Sequence, residues 1–585
     1  MYLESINSPI ELKKLSFSEL NSLSAEVRQT LLKKLSENGG HIGPNLGMVE
    51  LTIALHYVFD SPKDKIVYDV SHQSYTHKML TGRAEAFLNP KKYKEVSGYS
   101  NPEESNHDFF TVGHTSTSVS LACGLAKARD LKGDRENIIA LIGDGSLSGG
   151  EAYEGLNNAT EAGTNFIIVV NDNEMSIAEN HGGLYQNLRD LRESNGDTAC
   201  NFFKAMGLDY LYIEDGHDIQ ALVKAFQSVK DIDHPIVVHI HTIKGKGFAP
   251  SEIDKEAYHS GTPFNLETGE YLVPRNNYYA NLTAEYLLKE MEKDPTIVVI
   301  NAATPAFFGF NKERREKAGK QFVDVGIAEE HAVALSSGIA ANGGKPVFCV
   351  ASTFVQRTYD QISQDLCINN NPALILVSSG SVYGMNDVTH LGIFDIAMMS
   401  NIPNLVYLAP TCKEEYLAML EWGIQQKEHP VAIRIPVIDF VRENFSDNTD
   451  YAKLDKFEVT KKGKQVAVIA LGDFYGMGEE VTDTLVKEHK IKATLINPRF
   501  ITGVDEKLLT SLHEDHSLVI TLEDGIVEGG FGQKIASFYG PTKMKVKNYG
   551  IKKSFPDRYI AKVLLEKNGV SVPQIIQDIT DILDK

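Results

Sequence analysis

The sequence predicts an α/β protein with parallel sheets, arranged in three consecutive blocks. Apolar runs of strand length alternate with helix-length periodic stretches, as in parallel strands joined by crossover helices. With 585 residues the chain is too long for one hydrophobic core, so two to four domains are expected. Polar, turn-rich segments near 265–277 and 442–448 separate the blocks, which run to about residue 270, over 280–440 and over 455–585.

Short apolar runs mark the expected strands of each block. A run bounded by turn residues is consistent with a buried parallel strand, because both faces of such a sheet are covered. The predicted strands are 138–142, 166–170 and 236–242 in the first block, 296–300, 346–351, 373–377 and 405–408 in the second, and 465–471, 493–497 and 517–522 in the third.

Composition argues against several classes of partner. The net charge of −20 makes nucleic acid or an anionic membrane an unsuitable main partner. No apolar run approaches the ~18 residues that a membrane-spanning helix needs. The five cysteines form no Cys-x-x-Cys pair, which indicates neither a zinc site nor a redox motif. The first residues lack a signal-peptide pattern, so we expect a cytoplasmic protein.

Two polar motifs follow neighbouring predicted strands in the first block. Gly-Asp-Gly stands at 143–145 and Asn-Asp-Asn at 171–173. The carboxyl ends of parallel strands share one edge of a sheet, where α/β proteins bind ligands. Carboxylate and amide oxygens suit Mg²⁺, whose coordination is completed by phosphate and water. A lone Gly-Asp-Gly is usually an ordinary turn, but the pair predicts a magnesium-diphosphate site with Asp144 and Asn173.

Several histidines fall in polar, loop-like contexts near glycines. Any one of them alone would more often be structural, but together they suggest a site that binds oxyanions or transfers protons. They are His41, His72, His77 and His114. Lys244, which follows the strand at 236–242, either adds positive charge to this site or belongs to a solvated basic turn.

The second block carries two adjacent carboxylates, Glu329 and Glu330, where a predicted strand end near Asp324 leads into a helix. Adjacent helical residues do not face one another, so one carboxylate can point into a pocket while the other meets solvent. Composition alone would equally fit two surface charges.

The order of these motifs resembles that of thiamine-diphosphate enzymes of the transketolase type. Over nearly the whole chain the sequence is similar specifically to the 1-deoxy-D-xylulose-5-phosphate synthase family. The stretches that carry this resemblance are 69–73 (Asp-Val-Ser-His-Gln), 77–83, 113–118, 171–177, 244–247 and 352–357.

The resemblance implies three doubly wound α/β domains. They are a diphosphate-binding domain at 1–275, a pyrimidine-binding domain at 285–445 and a transketolase C-terminal domain at 455–585. It also implies thiamine diphosphate and Mg²⁺ as cofactors, a homodimer, and a place in the synthesis of isoprenoid precursors and thiamine. The reaction would be decarboxylation of pyruvate and transfer of the two-carbon unit to an aldehyde, glyceraldehyde 3-phosphate or a variant acceptor.

The resemblance also implies roles for individual residues. The metal ligands would be Asp144, Asn173 and the Met175 carbonyl. The cofactor would contact His72, His114, Gly143, Gly145, Ser146, Asn173, Lys244, Glu329 and Phe354. The catalytic groups would be Glu329, His41, His72 and His390, and the substrate would contact His41, Arg357, Ser379, Asn386 and His390.

Glu329 would have the central chemical role. A desolvated carboxylate at the ring nitrogen of the aminopyrimidine favours the imino tautomer, whose exocyclic nitrogen can remove the thiazolium proton. Phe354 would stack on the same ring.

The acceptor site departs from the family pattern. Ser379 and Val437 stand where the family has phosphate-binding arginines, Ala351 replaces a tyrosine, and the segment 176–206 is shorter. Each charge-assisted hydrogen bond to phosphate contributes about 1.5–3 kcal/mol, so losing two would weaken phosphate binding by roughly 3–6 kcal/mol. We therefore expect an altered acceptor preference.

Two other enzymatic functions remain possible at this point. A transketolase would move a ketol unit between sugar phosphates without releasing carbon dioxide. The decarboxylating component of a 2-oxo acid dehydrogenase would transfer its acyl group to a lipoyl partner.

Overall fold

The structure is a computed structural model that describes residues 2–273, 278–443 and 445–584. The chain forms two compact units, Met1–Asn276 with Gly326–Ala328, and Asn277–Val325 with Glu329–Lys585. The predicted turn at 274–277 and one residue of the segment 442–448 lie outside the described residues.

The first unit contains one five-stranded parallel sheet. Its strands are β1 (Lys65–Tyr68), β2 (Ile138–Gly143), β3 (Phe166–Asp172), β4 (Asp209–Ile213) and β5 (Pro235–His241), in the order β1-β2-β3-β5-β4. Its α-helices are Pro9–Leu12, Phe17–Asn38, Gly43–Gly47, Val49–Val58, Tyr75–Lys78, Glu85–Leu88, Ser118–Lys132, Gly150–Ala159, Gly183–Glu193, Phe202–Ala205, Ile219–Val229 and Ala249–Ile253.

Both faces of this sheet are covered, as expected of a doubly wound sheet. Alternate residues of a strand point to opposite faces. Ile139 and Leu141 of β2 belong to one hydrophobic cluster, whereas Ile138, Ala140 and Ile142 belong to another. At the carboxyl end of β3, the polar residues Asn171 and Asp172 follow these apolar positions.

The second unit contains two sheets. The first is fully parallel and consists of β6 (Ile297–Asn301), β7 (Phe322–Asp324), β8 (Lys345–Ala351), β9 (Leu374–Ser378), β10 (Val406–Leu408) and β11 (Val431–Arg434), in the order β10-β11-β9-β8-β6-β7. The other consists of β12 (Glu458–Lys461), β13 (Gln465–Ala470), β14 (Thr494–Asn497), β15 (His516–Ile526) and β16 (Lys545–Ile551), in the order β12-β14-β13-β15-β16, with only β12 antiparallel.

Helices surround these sheets, and one core joins them. The α-helices are Tyr278–Lys293, Lys312–Ala318, Glu329–Ala341, Tyr359–Gln361, Asp395–Met399, Lys413–Gln425, Tyr475–Thr484, Glu506–Ser511, Phe531–Tyr539, Ala561–Lys567 and Val572–Leu583. Phe348 and Ile375 of one sheet share a hydrophobic cluster with Ile469 and Val519 of the other. This shared core explains why two sheets form one compact unit.

The predicted fold class is confirmed, and all ten predicted strands are present within about two residues at their starts. The division into domains at 1–275, 285–445 and 455–585 stays a prediction. No helix among the described residues is long and apolar enough to cross a membrane.

Candidate active site

The two motifs of the first block lie at the same edge of the first sheet. Gly143, the last residue of β2, pairs in register with Asn171 of β3. Asp144 and Asn173 therefore leave neighbouring strands at the same end. Asp144 begins a short 3₁₀ turn, Asp144–Ser148, which precedes the helix Gly150–Ala159.

The oxygens at this edge fit a small hard cation. Asp144 is buried, and its burial together with the nearby charge of Asp172 raises the pKa of its carboxyl well above the usual range. Asn173 Oδ1 is buried and accepts no hydrogen bond from the described residues. An unpaired buried oxygen is costly unless a ligand satisfies it. Met175, whose carbonyl is the third predicted ligand, forms a β-bridge with Glu179.

The donor set is also the right kind for Mg²⁺. The described residues contain no group of three or more His, Cys, Asp or Glu side chains arranged to hold a metal ion. One carboxylate, one amide oxygen and one carbonyl suit a cation whose other ligands are phosphate oxygens and water. The residues therefore fit magnesium bound to a diphosphate better than a transition metal.

The backbone around this edge leaves room for an anion. A Cβ added to Gly145 would lie 3.0 Å from Cα of Ser176, whereas a Cβ on Gly143 would meet nothing within 4 Å. Ser146 is buried in the same turn. Glycine at 145 thus allows two backbone segments to approach each other closely, with open space beside Gly143.

Lys244 is buried beside these segments rather than solvated. Its Nζ donates to the Ser176 carbonyl at 2.6 Å. Burial lowers the pKa of its ammonium group to about 7, although the charge of Asp144 opposes the shift. The alternative prediction, that Lys244 belongs to a solvated basic turn, is therefore wrong.

Histidines from separate loops meet in the first unit. The ring centroids of His41 and His72 are 5.0 Å apart, and His259 lies 5.3 Å from His72 and 5.8 Å from His41. Asn45 Nδ2 donates to the carbonyls of both His41 and His72, at 2.9 and 2.8 Å. Tyr99 lies 5.7 Å from His41.

His259 and Tyr99 were missed in the sequence. Gly40 and Gly261 form a β-bridge, which brings the two loops and their histidines together. His259 precedes Ser260-Gly261, the same polar, glycine-adjacent context that singled out His41. The same criterion would therefore have found His259, but no local signal marks Tyr99.

A strained turn presents His72. Val70 and Ser71 both have positive φ, 56° and 66°. Positive φ is uncommon outside glycine, and it is most unusual for a β-branched residue such as Val70. Ser71 Oγ donates to the Val112 carbonyl at 2.7 Å and accepts from the Ser100 N–H at 2.8 Å. Strain that the surroundings hold in place is typical of functional sites.

His114 and His77 have different environments. His114 is half-buried in the loop before Ser116, whose N–H donates to the Asp69 carboxylate at 2.9 Å. The expectation that His77 lies in a loop is wrong. It lies on the helix Tyr75–Lys78, fully buried, with His56 and Asp108 at 2.8 and 2.7 Å. His77 therefore belongs to the core.

Glu329 has the environment that its predicted role requires. It begins the helix Glu329–Ala341 and is 3% exposed, whereas Glu330 is half-buried. Burial raises the pKa of its carboxyl to about 7, with the charge of Arg357 opposing. Its Oε2 is buried and has no hydrogen-bond partner among the described residues. Such an oxygen can accept a hydrogen bond from a bound ring nitrogen when the carboxyl is ionised, or donate one to it when the carboxyl is protonated.

The other predicted groups of the second unit lie on loops after β8 and β9. The rings of Phe354 and His390 contact edge to face, with centroids 5.7 Å apart. His390 Nδ1 lies 2.8 Å from Thr389 Oγ1. Ser379, directly after β9, has a φ of 57°. Asn386 is exposed, and its Nδ2 donates to the Tyr559 carbonyl at 2.9 Å.

Val437 follows an arginine whose charge is already neutralised. Arg434 donates to Asp395 at 2.7 Å and to Asp524 at 2.6 Å, and all three side chains are buried. The N–H of Val437 donates to the Asp473 carboxylate at 3.2 Å. Burial beside Asp524 raises the pKa of Asp473 to about 7.

Family models match three parts of the chain. The model for 1-deoxy-D-xylulose-5-phosphate synthase matches residues 3–199 and 195–242, so the match is interrupted near 195–199. The models for the transketolase pyrimidine-binding domain and C-terminal domain match 278–440 and 455–575.

Curated relatives match along the full length. A 1-deoxy-D-xylulose-5-phosphate synthase from Geobacillus sp. (strain WCH70) is 37% identical over 631 aligned positions, covering 100% of this chain and 99% of the relative. Synthases from Clostridium beijerinckii and Shouchella clausii are 39% and 38% identical and cover 92% and 100% of this chain, and 92% and 99% of the relatives. The chain belongs to the 1-deoxy-D-xylulose-5-phosphate synthase family.

Proposed function

We propose that this chain is a 1-deoxy-D-xylulose-5-phosphate synthase that depends on thiamine diphosphate and Mg²⁺. It decarboxylates pyruvate and joins the remaining two-carbon unit to glyceraldehyde 3-phosphate. The observation that carries the proposal is Glu329, a buried carboxyl with a raised pKa and an Oε2 without a partner among the described residues. Family membership and full-length similarity support the same reaction.

The diphosphate end of the cofactor requires oxygen ligands and positive charge. We assign the metal to Asp144, Asn173 and the Met175 carbonyl, because Asn173 Oδ1 is a buried oxygen that accepts no hydrogen bond from the described residues. Lys244 would neutralise part of the diphosphate charge. His114 and the backbone of residues 143–146 would contribute hydrogen bonds, as in other anion sites at strand-to-helix turns.

The pyrimidine end requires a proton-holding carboxyl. Bound thiamine diphosphate supplies an electron-accepting thiazolium, which makes loss of carbon dioxide from a 2-oxo acid possible. Glu329 Oε2 would exchange a hydrogen bond and a proton with the pyrimidine ring nitrogen. A pKa near 7 lets the carboxyl hold or release that proton at neutral pH. Phe354 would stack on the ring.

Histidines would move the remaining protons. His41, His72 and His259 form one cluster in the first unit, and His390 contacts Phe354 in the second. Histidine side chains commonly donate and accept protons in catalysis. We assign His41, His72 and His390 to proton transfer with the substrates, and Arg357 to an anionic group of a substrate.

The acceptor phosphate would be held more weakly than is usual in the family. Ser379 and Val437 lack cationic side chains, and the guanidinium of Arg434 is occupied by two carboxylates. Asp473 adds an acidic group behind Val437. We therefore propose a reduced preference for phosphorylated over neutral aldehydes. A KM for glyceraldehyde 3-phosphate as low as that of the Geobacillus relative, measured side by side, would contradict this.

The assembly in solution is expected to be a homodimer, an assignment that rests on the family resemblance. Light scattering during size-exclusion chromatography should give about twice the chain mass of 64.7 kDa. A mass of one chain would exclude it.

The reaction is tested by incubating the protein with Mg²⁺, thiamine diphosphate and pyruvate, with and without glyceraldehyde 3-phosphate. We expect release of one carbon dioxide for each 1-deoxy-D-xylulose 5-phosphate formed, identified by mass. Ketol transfer between sugar phosphates without carbon dioxide would indicate a transketolase. Acetyl transfer to lipoamide would indicate a 2-oxo acid dehydrogenase component. Either result in place of the expected product would refute the proposal.

A further inference from the structure

The segment that follows the metal-binding motif is tied to that motif at three points. Asn180 Nδ2 donates to Asp144 Oδ2 at 2.7 Å. The Tyr185 hydroxyl donates to the Gly145 carbonyl at 3.1 Å. Arg192 Nη1 donates to Asp172 Oδ2 at 2.5 Å. Asn180, Tyr185 and Arg192 are not among the site residues predicted from the sequence.

Two of these groups lie on the helix Gly183–Glu193, just before the interruption of the family match at 195–199. The helix is held by a few side chains. Leu188 and Leu191 are fully buried, whereas Arg189 on the same helix is exposed. Arg192 turns inward, and its side chain is 12% exposed. The helix thus presents one cation to the interior and one to solvent.

Asp172 links Arg192 to the shape of the metal-binding loop. Its carboxylate is fully buried, and its Oδ1 accepts the N–H of Glu174 at 3.1 Å. Glu174 has a φ of 66°, so this hydrogen bond stabilises a turn that starts directly after Asn173. Asp172 Oδ2 accepts from His239 at 2.9 Å as well as from Arg192. Without Arg192, His239 would be the one remaining ion-pair partner of this buried carboxylate among the described residues.

Arg192 also lies close enough to Asp144 for the two charges to interact. Asp144 and Asp172 are both buried carboxyl groups, and Arg192 is a cation near both of them.

We propose that Arg192 is a positioning residue for the magnesium-diphosphate site, acting through Asp172, and that Asn180 and Tyr185 hold the helix Gly183–Glu193 against the same loop. The inference rests on the proposed cofactor chemistry. Groups that orient metal ligands without touching the metal typically change metal affinity by about 10–100-fold when removed. Binding of the cofactor should in turn order this helix, because its anchors share atoms with the binding loop.

The test measures binding of thiamine diphosphate at fixed Mg²⁺ by isothermal titration calorimetry of the full chain. Arg192→Leu should raise the dissociation constant by about 10–100-fold. Arg192→Lys, which keeps the charge, should stay within about fivefold of wild type, since a lysine can pair with a carboxylate but only at one point. Arg189→Leu, on the exposed side of the same helix, is the matched control and should stay within twofold.

Two further measurements separate positioning from folding. In an Asp172→Asn background, Arg192→Leu should raise the dissociation constant of thiamine diphosphate by less than about threefold, because the carboxylate through which Arg192 acts is gone. Hydrogen exchange of peptides covering 177–193 should slow on addition of Mg²⁺ and thiamine diphosphate in wild type, and should slow less in Arg192→Leu. If circular dichroism shows Arg192→Leu unfolded, Arg192→Gln replaces it with the same expectation.

The outcomes are distinguishable. Wild-type affinity in a folded Arg192→Leu or Arg192→Gln protein would overturn the inference and leave the proposed function intact. The inference would also be overturned if Arg192→Leu weakened thiamine diphosphate binding by the same factor in the Asp172→Asn background as in the wild type. Failure of the wild type to bind thiamine diphosphate would overturn both the inference and the proposed function.

Discussion

Arg434 Nη1 and Asp524 Oδ1 are 2.6 Å apart, although Arg434 ends β11 of one sheet and Asp524 lies on β15 of the other sheet of the second unit. The same guanidinium binds Asp395, which also accepts a hydrogen bond from the Tyr407 hydroxyl at 2.5 Å. A buried arginine shared by two carboxylates leaves an uncompensated negative charge if it is removed. The ion pair thus links the two sheets through charge as well as through their shared core.

Arg434→Met should therefore destabilise the second unit. Removing one partner of a buried ion pair costs about 3–5 kcal/mol. The single tryptophan of the chain, Trp422, lies in this unit, so its fluorescence during urea unfolding reports the change. Arg558→Met is the control, because Arg558 is exposed and pairs with Asp557 at the surface, where a pair contributes less than about 1 kcal/mol. Equal midpoints of urea unfolding for Arg434→Met and Arg558→Met would contradict this prediction.

Glu329 should make the cofactor-free protein less stable as pH rises. Its pKa is about 7 in the folded state against an ordinary value of 4.5. Below pH 4.5 the carboxyl is protonated in both states and contributes nothing. Between pH 4.5 and 7 the unfolded state releases the proton first, and above pH 7 the full cost, roughly 3 kcal/mol, is present.

Glu329→Gln removes this cost because glutamine does not ionise. Without cofactor, the variant should be more stable than wild type at pH 8 and nearly equal to it at pH 4.5, by the same Trp422 measurement. Glu330→Gln, at the neighbouring half-buried position, is the matched control substitution. A stability gain for Glu329→Gln that does not vary with pH would rule out ionisation as its cause.

Lys244 and Lys246 should differ in their effect on cofactor binding, although they stand in one Lys-Gly-Lys-Gly run. Lys244 is 2% exposed and reaches the Ser176 carbonyl, close to the predicted metal-binding residues, whereas Lys246 is only half-buried. A hydrogen bond to a charged group contributes about 1.5–3 kcal/mol. Lys244→Met should therefore weaken thiamine diphosphate binding at least tenfold by calorimetry, and Lys246→Met by less than threefold. The reverse order would refute the assignment of Lys244.

Restoring arginines should restore selectivity for a phosphorylated acceptor. In the double variant Ser379→Arg Val437→Arg, we expect kcat/KM for glyceraldehyde 3-phosphate to rise by about 10–100-fold relative to that for D-glyceraldehyde. Steady-state assays with both aldehydes at saturating pyruvate measure this ratio. Ser379→Gln Val437→Gln, which adds long side chains without charge, serves as the control and should raise this ratio far less. A ratio unaffected by the arginines would show that phosphate is bound elsewhere.

Most interior strands could be predicted from the sequence because their residues are apolar on both faces, but the short interior strand β11 was missed. The strands that were missed are short or lie at edges. β12 carries the sequence Glu-Val-Thr-Lys at the edge of its sheet, and all its residues are half-buried. β4 is an edge strand that begins with an exposed aspartate. β12 has too few apolar residues to be distinguished from a loop, and β4 is only five residues long.

The candidate site could be predicted where its residues follow strands, as Asp144 and Asn173 do. Contacts between distant segments could not. His259 reaches His41 only because Gly40 and Gly261 pair. His77 looked like a site residue because its partner in the core, Asp108, is distant in the chain. The roles of the predicted site residues stay predictions.

The measurement that tests the central claim most directly is the rate of hydrogen–deuterium exchange at the thiazolium carbon of bound thiamine diphosphate. It is read by quenching in acid and NMR, and it does not depend on the acceptor. If Glu329 activates the cofactor, Glu329→Ala should slow exchange by about 10²–10⁴-fold, with thiamine diphosphate still bound. An exchange rate in Glu329→Ala equal to that of the wild type would contradict the account.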